Sequence, residues 1–377
     1  MHWETLLDHA SFDLRRSGRF VVADLKMPHR VLSTSVRNGG QVEHVRHVLN
    51  HQSCEGAAHL DRHRAMVEAG LESYHDQVCA EAALPPDETA VMGTAANMNY
   101  IAVVRESDAE LTVTAAVTAG VEGNATTAGE PASWRETEKG MEKVPAYAGT
   151  INTMLLVNLP VTPAALARVA VTMTEGKSAA LHRLAVPSKR HLDLATGTGT
   201  DQFCIAAPLA GSRPLTSASP HTKLGELVGL VTRNATLEAL RWQNGLEASY
   251  TRGVFHALGR YGVTEATVFA DIEPFLGEHD LELLKKNAKA VFYEPLVGAS
   301  AHALAAVCDR VRYGTIPDAV EADARAQQAA GLAANLAAQV HRWAEFRSAL
   351  RPHAAGDVRM LVIRALALGW SEKWRTG

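Results

Sequence analysis

VPAYAGTINTMLLVNLPVTPAALA, Val144–Ala167, is the stretch on which the fold turns. It holds no charged side chain and is long enough to cross a bilayer as a helix. Thr150, Asn152, Thr153, Asn158 and Thr162 punctuate it, and Pro160 and Pro163 interrupt it, so it divides into a strand, Gly149–Val157, and the start of a helix. Thr162-Pro163 marks that start: a hydroxyl in the N-cap position, then a proline whose fixed φ suits the first helical residue. Leu166, Val169, Ala170, Met173 and Leu181 line one side of the segment after it, which predicts a helix to about His182.

Upstream, Ala90–Ala95, Tyr100–Val104 and Leu111–Ala119 read as strands without the helical spacers of a parallel βαβ series. GRFVVADL (Gly18–Leu25) and HRVLSTSV (His29–Val36), separated by the turn-prone Lys26–Pro28, predict an opening hairpin. Asn38-Gly39-Gly40 marks a turn and Asp61–Ala80 looks helical. A long turn-rich stretch, Thr118–Gly149, is of the kind that shapes a site or moves. Downstream, FCIAAP (Phe203–Pro208) reads as a buried strand. A second helix begins near His221-Thr222 and continues through Leu224, Leu227, Val228, Val231 and Leu237 toward Gly245, with Gly225 and Gly229 allowing close helix packing. From Ser249 the chain is alanine-rich and helix-prone, with Pro317–Ala349 the longest such segment. The expected class is therefore α+β: a mixed, largely antiparallel sheet layered with helices over residues 1–246, and a helical appendage over 247–377.

A chain of 377 residues has room for one large domain or two. A net charge of −4 with scattered lysines and arginines offers no phosphate-backbone footprint, so neither nucleic acid nor a membrane is an expected partner. The opening MHWETLLDHASFDLRR carries early acids and no apolar export region, which predicts a cytoplasmic protein. Cys54, Cys79, Cys204 and Cys308 lie far apart without a CxxC, so reduced structural thiols are expected.

Several apparent motifs fail on inspection. Gly176-Lys177-Ser178 ends like a P-loop, but the glycine required five positions earlier is Val171. Gly197-Thr198-Gly199 starts a dinucleotide fingerprint whose third glycine position is Gln202. His44, His47 and His51, with Glu55 nearby, have spacings that could share a helical face around a metal, yet chance clustering among 17 histidines explains them as well. HExxH and GxSxG are both absent.

ATGTGTD (Ala195–Asp201) alternates threonine with glycine and closes on a carboxylate, which suits a ligand cradle as well as an ordinary turn. It is one of several blocks that appear in order: LSTSVRNGG (Leu32–Gly40), TAGVEGNATTAGE (Thr118–Glu130), GTINTMLLVN (Gly149–Asn158), MTEGKSAAL (Met173–Leu181), ATGTGTDQF (Ala195–Phe203) and SPHTKLGELVG (Ser219–Gly229). Together, over about Val31–Thr232, they resemble the adenosylcobinamide amidohydrolase family, CbiZ. The C-terminal region lies outside the resemblance.

The resemblance implies hydrolysis of the amide joining the aminopropanol arm to the corrin ring of adenosylcobinamide, giving adenosylcobyric acid and an aminopropanol in corrinoid salvage. Cobalt then arrives with the substrate, and the protein needs no cofactor or metal of its own. A corrinoid is broad, apolar on its faces and fringed with amides, so its pocket needs small residues and neutral hydrogen-bond partners. Asn124, Asn152, Thr150, Thr196, Thr198 and Thr200 are such partners, and the matched blocks add Asn38, Gly197, Gly199, Thr222, Lys223 and Glu226 as substrate contacts.

For the chemistry, Glu175 is the candidate base and His221 the candidate acid. The backbone N–H groups of Gly197–Thr200 are a candidate oxyanion site, and Asp201 is placed to orient His221 or Lys177. Plainer readings are a salt bridge of Glu175 with Lys177 or Arg168 and a helix-start hydrogen bond for His221. A second mechanism makes Thr150 a nucleophile, freed by chain cleavage as in amidases with an N-terminal threonine. The rival function is a corrinoid-binding or sensing protein without turnover; its D-x-H-x-x-G signature would need a glycine where Met66 follows Asp61 and His63. The C-terminal helices could dimerise the enzyme, cover the cleft or bind another pathway component.

Overall fold

Side chains alternate along β3 (Phe20–Leu25): Val21, Ala23 and Leu25 enter one core, Phe20 and Val22 another. That alternation recurs in β6 (His47–Gln52) and β7 (Thr89–Thr94), where Val48, Ala90 and Met92 face the first core and Leu49 and Val91 the second. With β1 (Glu4–Asp8) and β2 (Phe12–Ser17) they form a five-stranded sheet in the order β1-β2-β3-β6-β7, antiparallel except for β6 and β7. Its second face is covered by α1 (Leu71–Ala82) through Tyr74, Val78 and Cys79.

The other sheet contains β4 (His29–Ser33), β5 (Gly40–Val42), β8 (Ala102–Asp108), β9 (Leu111–Ala119), β13 (Ile151–Val157) and β15 (Gln202–Pro208), in the order β5-β4-β15-β13-β9-β8. Between β9 and β13, β11 (Trp134–Thr137) and β12 (Gly140–Lys143) pair with each other as a separate antiparallel ribbon. Ala116, Met154, Leu156, Cys204 and Ala206 face the first sheet, while Val113, Ala115, Ile151, Leu155 and Ile205 face helices. Those helices are α2 (Pro163–Arg183) and α3 (Lys223–Asn244). The result is four layers, helix, sheet, sheet, helices, with a mostly apolar interface between the sheets.

The computed structural model describes residues 2–54, 70–132, 134–138, 140–143, 149–211 and 213–373. They divide into two compact units, Met1–Arg190 with Leu194–Leu246, and His191–Asp193 with Glu247–Gly377. The second unit is helical around one core, in which Ala326, Ala329, Ala330, Ala333 and Ala334 of the helix Asp318–Ala337 are buried. Within it, Asp309 accepts from Arg260 and from the Tyr261 hydroxyl at 2.6 Å. No described helix is long and apolar enough to cross a membrane.

The mixed α+β class follows the sequence pattern, and Val144–Ala167 does split: Ile151–Val157 is a strand and Thr162 caps α2, its hydroxyl accepting from Ala165 N. Thr222 caps α3 in the same way through Gly225 N. The expected opening hairpin does not form. β3 and β4 lie in different sheets, so Lys26–Pro28 carries the chain from one layer to the other, and β3 pairs instead with β2. β3 is buried on both faces and β4 on one face fully and on the other partly, and composition alone does not separate two paired strands from two stacked ones. Pro317–Ala349 is also broken, at Ala338, whose φ of 56° ends the helix. The first part of the predicted Asp61–Ala80 helix, through Ala69, falls outside the described residues.

All four cysteines are buried and unpaired with one another, as expected of reduced thiols. Burial pushes the Cys79 and Cys308 thiols up to about 11 and Cys204 higher still. Native protein at pH 8 is therefore expected to resist alkylation by iodoacetamide at these three positions, while urea-unfolded protein takes up four labels by intact mass. α2 and α3 approach closely at Gly176, where an added Cβ would lie 2.8 Å from Gly229 O. Gly176→Val should destabilise the first unit by about 2 kcal/mol through overpacking, read as a lower urea midpoint.

Candidate active site

β13, α2 and β15 form a parallel crossover, and both strands begin at the edge of the sheet where β9 ends: Asn152 is opposite Gln202 and Ile151 is opposite Ala119. Three loops meet there, around Asn124, Gly149-Thr150 and Ala195–Asp201. β10 (Ala125–Thr126) pairs with β14 (Gly197–Thr198) and binds the first loop to the third.

Asp201 is the centre of the cluster. One oxygen, Oδ1, accepts from Ile151 N at 3.0 Å and from the Thr198 hydroxyl at 2.6 Å; the other, Oδ2, accepts from Thr198 N at 3.1 Å and is paired with Lys177 of α2. The lysine and aspartate side chains are 15% and 18% exposed, dry enough for the charges to need each other. Gly197 leaves room for them: a Cβ there would meet Asp201 Oδ2 at 2.5 Å and Lys177 Nζ at 2.8 Å.

Beside the ion pair is a chain of uncharged donors. The hydroxyls of Thr150 and Thr200 are 2.5 Å apart, Thr200 donates to Gly149 O at 2.8 Å, and Asn124 Nδ2 donates to the same oxygen at 3.0 Å. Thr200 is exposed and Thr150 nearly buried, so the cluster begins at the surface and leads inward. Deeper, between the sheets, Asn152 donates to Asn50 Oδ1 at 2.9 Å and to Gly93 O at 3.1 Å, and Asn50 donates to Thr118 at 2.8 Å. Gln202 Oε1 accepts from Gly93 N at 2.8 Å. The sequence pattern missed Asn50, Gly93 and Gln202, because they reach the cluster only through the stacking of the two sheets.

Other nominated residues lie elsewhere. Glu175 is exposed on α2, two residues from Lys177 and so on a different face. His221 is exposed just before α3, whose Lys223 is 3.8 Å from Asp108 at the β8–β9 turn. The far end of α3 reaches the loop cluster's side of the sheet, where Asn244 accepts from Val121 N at 3.1 Å. His221 is thus on the order of 30 Å from Asp201, the length of the nine-residue β9. Among the described residues no hydrogen bond or ion pair joins Glu175 or His221 to the cluster. The pairing of Asp201 with Lys177 holds, and a pairing with His221 does not.

The helix-start residues are occupied locally: Lys223 pairs with Glu226 at 2.9 Å, and Thr222 donates to Ser219 O at 2.9 Å. Asn38 donates to Pro86 O and Thr89 O, each at 2.8 Å, so its amide holds backbone. Thr196 accepts from Ala128 N at 2.9 Å. Three of the four N–H groups of the expected backbone oxyanion site, Gly197–Thr200, are engaged within the protein. Thr198 N goes to Asp201, Gly199 N to Asn124 O at 3.3 Å, and Thr200 N to Thr198 Oγ1 at 3.4 Å.

The histidines do not gather. His47 pairs with Asp24 at 2.7 Å and His51 with the Tyr74 hydroxyl at 2.9 Å, on a strand, and His44 lies 3.2 Å from Asn38 Oδ1. No group of three metal-ligating side chains occurs among the described residues, and Glu55, Asp61, His63 and Met66 fall outside them.

The family model for adenosylcobinamide amidohydrolase, CbiZ, matches residues 4–248. The chain belongs to this family. The uncharacterized protein MJ1613 of Methanocaldococcus jannaschii is 32% identical over 185 residues, 47% of this chain and 72% of that protein. A crystal structure of the PH0078 protein from Pyrococcus horikoshii OT3 aligns over 63% of this chain and 82% of its own, with a TM-score of 0.32 and 12% identity. The family match takes in every loop of the cluster.

Asp201→Asn would leave Lys177 without a counter-charge and place an amide N–H against backbone donors. It should lower unfolding stability by about 3 kcal/mol, measured by urea titration, with Lys177→Met less damaging because the carboxylate it leaves behind still accepts from Ile151 N, Thr198 N and the Thr198 hydroxyl.

Proposed function

We propose that this protein hydrolyses the amide between the aminopropanol arm and the corrin ring of adenosylcobinamide, yielding adenosylcobyric acid and an aminopropanol in corrinoid salvage. The observation that carries this reading is the family match over residues 4–248. The chemistry of the cluster supports it. A corrinoid's fringe of amides calls for neutral donors and acceptors, and Asn124, Thr150 and Thr200 bring such groups together where the cluster reaches the surface. The cobalt belongs to the substrate.

Amide hydrolysis needs an attacking oxygen, donors for the developing oxyanion and a proton for the departing amine. Asn124 Nδ2 and Thr200 Oγ1 already converge on one carbonyl oxygen, that of Gly149, which is the geometry an oxyanion requires. Thr150 supplies a positioned hydroxyl, and Lys177, held by Asp201, the nearby cation. Glu175 and His221, separated and exposed, are left without a role in this arrangement.

Purified protein incubated with adenosylcobinamide, with and without chelator, should give adenosylcobyric acid by mass spectrometry in both cases. Asn124→Ala should lower turnover by about 100-fold, as loss of one oxyanion donor does, while Glu175→Gln and His221→Asn should remain within about twofold of the parent if the exposed surface positions carry no chemistry. Tight binding of the corrinoid without product would establish a binding or sensing protein instead. Product that appears only with added metal would overturn the metal-independent mechanism.

A further inference from the structure

The Gly149–Thr150 peptide bond is held in an unusual way. Its carbonyl oxygen accepts from two side chains, Thr200 Oγ1 at 2.8 Å and Asn124 Nδ2 at 3.0 Å, and the hydroxyl of the next residue, Thr150, is 2.5 Å from Thr200 Oγ1. A threonine hydroxyl is tethered within reach of the preceding carbonyl carbon, so nucleophile, electrophile and oxyanion donors are already assembled. Thr150 is also clamped on both sides: its own carbonyl accepts from Gly120 N at 3.0 Å, and the next N–H, of Ile151, is held by Asp201. Gly149 has a φ of 152°, and a Cβ there would lie 2.9 Å from Asn124 Cβ and 3.0 Å from Gly120 O, so only glycine brings this carbonyl against Asn124.

We infer that the chain cleaves itself between Gly149 and Thr150, and that the freed Thr150 is the nucleophile of the amidohydrolase. The hydrogen-bonded order Thr150 Oγ1–H to Thr200 Oγ1–H to Gly149 O sets the path of the proton. Thr150 passes its proton to Thr200 while Thr200 passes its own to the Gly149 oxygen, and Thr150 Oγ1 bonds to the Gly149 carbon. The resulting five-membered ring is neutral. Its hydroxyl proton then moves to the Thr150 nitrogen as the C–N bond breaks, leaving Gly149 joined to Thr150 Oγ1 by an ester. Water adds to the ester carbon and breaks the C–O bond, which regenerates the hydroxyl and leaves Gly149 as a C-terminal carboxylate. One water is consumed and nothing is oxidised or reduced.

Cleavage changes what the cluster can do. Before it, the donors on Asn124 and Thr200 are occupied by Gly149; once that carbonyl can leave, both become available to a substrate carbonyl. The new α-amino group titrates at about 8 and sits on the same residue as the hydroxyl, a base for activating it at neutral pH. This second half of the inference rests on the amidohydrolase reading; the cleavage itself does not.

Intact-mass analysis and denaturing gels of the full chain are expected to show fragments 1–149 and 150–377, with the second reading Thr-Ile-Asn-Thr by N-terminal sequencing. Thr150→Ser should still cleave, Thr150→Ala should remain whole, and Thr200→Val and Asn124→Ala should slow cleavage at least tenfold while circular dichroism confirms folding. Hydroxylamine should convert the ester into a Gly149 hydroxamate. A chain that stays whole after prolonged incubation yet turns over adenosylcobinamide would overturn the self-cleavage and leave the amidohydrolase reading standing. Cleavage at another bond, or cleavage that persists in Thr150→Ala, would also overturn it. A cleaved chain with no turnover would keep the processing step and remove the assigned reaction.

Discussion

One carboxylate holds the candidate site together. Asp201 joins three stretches distant in sequence: the start of β13 through Ile151 N, the glycine-threonine loop through Thr198, and α2 through Lys177. Each acceptor position is filled by a hydrogen-bond donor, which is what permits a charge to persist at so low an exposure. Because Thr150 immediately precedes Ile151 and Thr200 immediately precedes Asp201, fixing the carboxylate also fixes the two hydroxyls beside each other. The oxyanion-like environment of the Gly149 carbonyl is therefore a consequence of a charge satisfied one residue away.

Behind this anchor the two sheets stack with a mostly apolar interface, interrupted near the site by Asn50, Asn152 and Thr118. Such groups are costly in a dry layer unless paired, and here the amide N–H groups have partners in the opposite strands. The pairing depends on register. Asn152 is opposite Gln202 on one side and Thr118 on the other, and a slip of β13 by one residue would turn Asn152 away from both and into the helix-facing core. The polar layer thus selects one alignment of β9, β13 and β15, and with it the meeting of the three loops.

Local chemistry was readable in the sequence where local rules decide the outcome. Thr162-Pro163 and Thr222 announce helix starts because the cap is made by atoms within three residues, and β9, β13 and β15 announce themselves by their apolar runs. The glycine-threonine loop and Asn124 likewise stand out by composition, and the structure brings them together. Partners set by long-range pairing were not. Lys26–Pro28 looks the same whether it turns a strand back on its neighbour or carries it to the opposite sheet, and Asn50 has no signal of its own until β6 stacks against β13. Glu175 and His221 have suitable chemistry, yet helical phase turns Glu175 away from Lys177's face, and the direction of α3 puts His221 at the end of the sheet opposite the loop cluster.

That direction is set by the connections. β13 and β15 are parallel, so α2 must return the chain to the edge where β13 began, and this brings Lys177 to Asp201. α3 starts again from the opposite edge, beside Asp108, and ends at Val121. Both helices consequently deliver their C-terminal halves to the loop cluster. Residues at the start of α3 serve its cap and its surface, whatever their intrinsic reactivity, and chemistry at the cluster has to come from the strands' first residues and the later turns of the helices. Thr150 and Lys177 satisfy that condition, and the topology gives His221 no route to it.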